Sequence, residues 1–174
     1  MAIITLRSPE AADLVEIEQV YRTSFPPEEQ RPWEKIVAPA VPGRPLLQGI
    51  YADGVIAGLV TTWAFPDFTY VEHLAVSPAI RGGGTGAAVL EILKKTSGES
   101  PLLLEVEPES DSDPMPARRI GFYRRNGFEI IDYPYKQPPY AAGLPWLELR
   151  LMSTGPLDPS QASRILHHEV YGAK

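Results

Sequence analysis

Between residues 81 and 86 the chain reads Arg-Gly-Gly-Gly-Thr-Gly, four glycines in five positions directly after an arginine. Before this run stands Thr69–Val76 (TYVEHLAV), rich in β-branched and apolar residues and closed by Ser77-Pro78, the pattern of a strand. After it, Val89, Leu90, Ile92 and Leu93 fall on one helical face of Ala87–Lys95. A strand that feeds a helix through consecutive glycines narrows the choice of folds. Glycine reaches backbone conformations closed to other residues, so successive N–H groups can converge on one point with no side chains in the way. The helix N-terminus adds partial positive charge, and the junction suits a phosphate or pyrophosphate. A flexible loop, or tight strand–helix packing, is the plainer reading of the same glycines.

The rest of the chain alternates between strand and helix patterns. Ala2–Leu6 is a short β-branched strand, and Ser8-Pro9-Glu10 carries the signals of a helix start. Leu14, Ile17, Val20 and Tyr21 follow at helical spacing until Phe25-Pro26-Pro27 ends the run. Pro26–Pro45 reads as loop, with a short helix over Pro32–Val37. Leu46–Tyr51 and Val55–Trp63 form a hairpin turning at Asp53-Gly54. Pro101–Val106 is a near-continuous apolar run, as in a strand covered on both faces. Ala117–Asn126 is helical and stopped by Gly127; Phe128–Ile131 and Trp146–Leu151 are the last strands. Asp158-Pro159 caps a final helix that reaches about Tyr171. Strands separated by helices in the second half require a mixed sheet with helices on its faces, an α/β architecture.

A length of 174 residues, 44% of them hydrophobic, fits a single domain over 1–174: a core over about 2–152 and a partly helical extension over 153–174. No apolar run approaches the roughly 18 residues of a membrane span, and the first ten residues do not read as a leader, so a cytoplasmic location is expected. Sixteen basic against 22 acidic side chains give a net charge of −6, which argues against a nucleic-acid partner. With no cysteine, disulfides, cysteine–zinc clusters and a cysteine nucleophile are excluded. His73 reads as packing, and the adjacent His167 and His168 lack metal-ligand spacing, so no metal is expected.

Two nucleotide motifs compete for the glycine loop. A Walker loop fails, because Lys94-Lys95-Thr96 has no glycine before it. The dinucleotide fingerprint fits by spacing: Gly82-x-Gly84-x-x-Ala87, with Glu105 18 residues further on. Against it, Ser77–Arg81 separate the strand from the first glycine, and three strands and a helix come earlier in the chain. Glu72–Ala87, EHLAVSPAIRGGGTGA, resembles the acetyl-CoA signature of the GNAT superfamily of N-acetyltransferases, with Arg81-x-x-Gly84-x-Gly86 matching R/Q-x-x-G-x-G/A. Arg118–Phe128, RRIGFYRRNGF, resembles the later helix and strand of that family, in the expected order and spacing. The resemblance implies a GNAT fold: a central mixed, mostly antiparallel twisted sheet with helices on both faces, and two splayed parallel strands at the cofactor site. It implies transfer of an acetyl group from acetyl-CoA to a primary amine, on a small cationic molecule or a peptide or protein amino group. By the same resemblance, the backbone of Leu74, Ala75 and Val76 pairs with the pantetheine arm. Gly82, Gly83, Gly84, Thr85 and Gly86 hold the pyrophosphate and Arg81 supplies counter-charge; Arg118 or Arg119 is a further candidate for the phosphates, with a solvated helix as the plainer reading of that cluster. Family members commonly dimerise, so a homodimer is admitted.

Such chemistry needs an amine stripped of its proton, a stabilised oxyanion and a proton for the departing thiolate. Glu72 is the first choice for the base, since strand alternation groups it with Tyr70 and Leu74 and an apolar setting raises a carboxylate's proton affinity. A carboxylate simply paired with an arginine is the competing reading of Glu72, and Glu105 and Glu107 are rival bases. Tyr123, in the Phe-Tyr pair of the second block, is the candidate acid; otherwise it is a core tyrosine. Arg118, Arg119, Arg124 and Arg125 cannot share one helix face, so some are solvated. Glu99–Asp113, with six acids and no base, reads largely as exposed loop. Ten of 19 prolines lie in Pro26–Pro45 and Asp132–Trp146, the latter with Tyr133, Tyr135 and Tyr140; both windows are expected to wall the acceptor side, near Glu28, Glu29 and Glu34. Without a thiol to carry the acetyl group, direct transfer is expected. A dinucleotide-dependent oxidoreductase and a non-catalytic acyl-CoA-binding regulator are the other classes.

Overall fold

A computed structural model describes residues 1–39 and 41–173. Ala40, within the first proline window, and Lys174, the last residue of the expected domain, lie outside the described residues. In chain order the elements are β1 (Ile4–Arg7), α1 (Leu14–Ser24), α2 (Trp33–Ile36), β2 (Leu46–Ala52), β3 (Val55–Ala64), β4 (Thr69–Val76) and α3 (Thr85–Ser97). There follow β5 (Leu102–Val106), α4 (Met115–Arg125), β6 (Glu129–Ile130), β7 (Tyr135–Gln137), β8 (Leu147–Ser153) and α5 (Pro159–Ile165), which runs into a π-helical turn over Leu166–Val170. The architecture is α/β, with a mixed sheet that is antiparallel but for one parallel pair.

Two expectations are corrected. The first helix does not start at Ser8-Pro9: Glu10 is extended and reaches back to Arg7 at 3.8 Å, a 3-10 turn covers Ala11–Asp13, and α1 begins at Leu14. The Asp13 side chain makes no capping bond to that helix; its Oδ2 accepts the Tyr51 hydroxyl at 2.8 Å. The second proline window, where the sequence pattern marks no strand, contains one. Tyr135–Gln137 pairs with Leu147–Leu149 of β8, since Pro134, Pro138 and Pro139 flank but do not enter the ladder.

The chain divides into two compact units. The first is Met1–Trp63 with Val71–Thr96. Here β1, β2 and β3 pair antiparallel in order, and β4 follows β3. Ile17, Val20, Tyr21 and Ile36 of the helices pack on Leu59 and Ala75, with Phe25, Trp33, Leu47 and Ile56 around them. Gly58 of β3 has φ +153°, and a Cβ there would lie 2.0 Å from the Ala75 carbonyl oxygen. The close approach requires glycine. The second unit is Ala64–Tyr70 with Ser97–Lys174. Thr69 and Tyr70 pair parallel with Leu102 and Leu103, and β8 pairs antiparallel with β5, β6 and β7. Ala162, Leu166 and Val170 are buried at four-residue spacing, so one face of the C-terminal helical segment is packed. Among the described residues, no helix is long and apolar enough to cross a membrane.

Candidate active site

In the first unit the glycine junction takes the expected form. Ser77 N–H donates to the Ala57 carbonyl (2.7 Å) and Ile80 N–H to that of Ser77 (2.9 Å), turning the chain off β4. Arg81 folds back, its Nε donating to the Val76 carbonyl at 2.9 Å. Gly82 and Gly84 have φ of +90° and +78°, and a Cβ on either would meet nothing within 4 Å. The demand for glycine there is conformational rather than spatial. Gly82–Gly84 are exposed, Thr85 is buried, and Ala88 N–H donates to the Gly84 carbonyl (3.0 Å), so α3 opens at the end of the glycine run. Its first N–H groups have no partner further up the helix and are the natural ligands of an anion. Leu74 and Val76 are half-buried and Ala75 is buried.

Glu72 lies on β4 with its side chain fully buried. Arg31 Nε donates to its Oε2 at 3.0 Å and Trp63 Nε1 to its Oε1 at 2.7 Å, while the Arg31 guanidinium lies 5.3 Å from the Trp63 ring centre. Pairing with an arginine, the competing reading of this residue, is thus present. Arg31 is held in turn, its N–H donating to the Tyr21 hydroxyl at 2.7 Å. Burial, and then the Glu72 charge, push that phenol well above its ordinary value. On β4, His73 Nε2 donates to the Glu29 carbonyl at 2.8 Å, and burial lowers its proton affinity. Glu29–Arg31 is thereby pinned to the strand by a buried network. Neither Arg31 nor Trp63 carries a local sequence signal: one sits in a proline-rich stretch without periodicity, the other at the end of an apolar strand.

In the second unit the focus is Glu105 of β5. Its Oε1 accepts the hydroxyls of Tyr70 and of Tyr171 (2.6 Å), and its Oε2 that of Tyr135 (2.5 Å). The Tyr70 and Tyr171 hydroxyls are 2.8 Å apart, and the Tyr171 ring packs on Tyr140 at 5.1 Å. Burial first, then the Glu105 charge, raise Tyr171 well above the ordinary phenol value. Of these residues, Tyr171 is marked in the sequence only as the end of a helix. The apolar spacing of residues 162, 166 and 170 was the available sign that the tail is docked.

Tyr123 is on α4, beside Phe122 (5.2 Å) and Phe128 (5.5 Å). Burial pushes its phenol up to about 12, against the opposing pull of Arg119. Arg119 reaches Glu107 at 3.7 Å across a half-exposed surface, and Arg118, Arg124 and Arg125 are exposed. From Pro108 to Asp113 the acidic run is exposed loop, whereas Glu105 belongs to the sheet. Among the described residues, no group of three or more His, Asp or Glu side chains could hold a metal ion.

Comparison with known proteins bears on this geometry. The family described as "Acetyltransferase (GNAT) domain" matches residues 48–130. A solved structure from Bacteroides thetaiotaomicron, named as an acetyltransferase of the GNAT family, is 35% identical over 98% of this chain and 99% of its own, with a TM-score of 0.84. YjbC of Bacillus subtilis (strain 168), also named as an acetyltransferase, is 40% identical over 65 residues, 37% of this chain; the match spans 33% of that protein's length. Arabidopsis thaliana Naa50, solved with the bisubstrate analogue CoA-Ac-MVNAL, shares the fold at 16% identity over 88% of this chain and 99% of its own, with a TM-score of 0.59.

Proposed function

The chain belongs to the GNAT family of acetyltransferases, and from that premise we propose that it moves the acetyl group of acetyl-CoA directly onto a primary amine. The acceptor is a small cationic molecule or an amino group of a peptide or protein, and residues 1–174 act as one acetyltransferase domain. The observation that carries this reading is the β4–α3 junction, where two left-handed glycines lead into a helix N-terminus. Gly82–Gly86 hold the pyrophosphate, with Arg81 and Arg119 as counter-charges. The backbone of Leu74, Ala75 and Val76 binds the pantetheine arm, and the Leu74 N–H polarises the thioester carbonyl. The CoA-bearing analogue on the Arabidopsis neighbour supports acetyl-CoA as donor.

In the transfer the amine nitrogen attacks the thioester carbon, the C–N bond forms and the C–S bond breaks. Tyr123, kept protonated by its burial, gives its proton to the departing sulfur. Glu105 takes the proton lost by nitrogen, and exchange with water resets both groups. Glu72 stands as the second candidate for that base. Its full burial argues against direct contact with an acceptor, while its fixed rotamer between Arg31 and Trp63 suits transfer through a neighbour. The test is thiol release from acetyl-CoA with polyamines, aminoglycosides and peptides bearing a free amino group. Glu105→Gln should lower kcat by about 10²–10⁴, the usual worth of a general base, and Glu72→Gln should change it by only a few fold. The reverse ranking assigns the base to Glu72.

A further inference from the structure

Glu105 is supplied with three phenols by three separate stretches of the second unit. An ionised carboxylate only accepts hydrogen bonds, and a protonated one must also donate. All three phenols carry their proton near neutrality, so the shell favours the ionised form and opposes the effect of burial. The two phenols on Oε1 form a triangle with it. Glu105 Oε1 and the Tyr70 and Tyr171 hydroxyls lie in mutual contact, with 2.6 Å between Tyr171 and Oε1 and 2.8 Å between the phenols.

Tyr171 is the member of this triangle delivered by the tail. Its N–H closes onto the Leu166 carbonyl at 3.1 Å, the five-residue spacing of a π turn, and such turns often re-aim a side chain. His167 Nε2 donates to the Lys136 carbonyl at 2.7 Å, tying the same turn to β7 beside Tyr135. With its ring on Tyr140, Tyr171 is fixed from three sides. We propose that Tyr171 is a positioning residue of acetyl transfer: with Tyr70 and Tyr135 it holds Glu105 ionised and aimed. The inference rests on the reading that Glu105 is the base. It gives the extension over 153–174 a part in the reaction, as the segment that completes the shell of the carboxylate.

Tyr171→Phe removes the hydroxyl and keeps the ring on Tyr140. Infrared difference spectra, recorded while the free protein is acidified, follow proton uptake by Glu105 through the carboxyl band that Glu105→Gln abolishes. Among the described residues, the groups facing Glu105 include Tyr70 from β4, Tyr135 from β7, and Tyr171 with Tyr140 behind it. Loss of one donor to the ionised form should move uptake to higher pH by about one unit. An unmoved band overturns the inference even if the variant is less stable, because a purely structural tyrosine would change the melting point alone. Should Tyr171→Phe fail to fold, Tyr70→Phe removes the other donor to Oε1 and must show the same shift; an unmoved band there also overturns it. Glu105→Gln in the thiol-release assay is read separately. Retained activity there defeats the assignment of the base, whatever the spectra show.

Discussion

Gly58 shows how much a single residue can decide. A methyl group there would sit 2.0 Å from the Ala75 carbonyl oxygen, on backbone that cannot swing aside as a side chain can. Gly58→Ala should therefore destabilise the protein by about 1–3 kcal/mol, the range for overpacking, seen as a lower midpoint in chemical denaturation. Gly83 has no positive φ and its nearest contact would be 3.8 Å, so Gly83→Ala should stay within about 0.5 kcal/mol. Nothing in the sequence separates these two glycines, because the difference lies in what another strand brings beside one of them. Glu72 teaches the same lesson. An acid among apolar strand residues is conspicuous, yet its partner Arg31 is 41 positions away, and pairing over that distance leaves no local pattern.

At the scale of elements, capping chemistry was legible where side chain and backbone agreed. Asp158 accepts from the N–H groups of Ser160 (3.0 Å) and Gln161 (3.2 Å), with Pro159 at the first helical position. Asp158→Ala should cost about 1 kcal/mol and loosen α5, visible as faster amide exchange over that helix before any change in the rest of the molecule. The Ser8-Pro9-Glu10 pattern carries the same residue types, yet Glu10 is extended and the helix opens only after the 3-10 turn over Ala11–Asp13. The π turn before Tyr171 has no known sequence signature here; it follows from packing Leu166 and Val170 while the tyrosine reaches Glu105. The glycine run also matches a dinucleotide spacing over Gly82–Ala87. What separated the readings was the order of elements before it and the second block around Tyr123.

For the molecule as a whole, acid should be the weak side. His73 is buried and neutral, hydrogen-bonded to the Glu29 carbonyl, and burial holds its proton affinity below the ordinary value of 6.5. The unfolded chain binds that proton more readily, so the stability linked to His73 is fully present above pH 6.5 and is lost as the pH falls towards the lowered native value. Denaturation midpoints measured from pH 7.5 to 5 should fall with a slope of up to about 1.4 kcal/mol per pH unit, and His73→Gln should flatten that part of the curve. The buried network also has an optical consequence. The chain has three tryptophans. Trp146 is 52% exposed and open to a quencher in solution, whereas Trp63 is 6% exposed and donates to a carboxylate beside a guanidinium. Once iodide has silenced Trp146, the shielded emission contains a built-in lamp on the Arg31–Glu72 pair, able to signal its opening without any label.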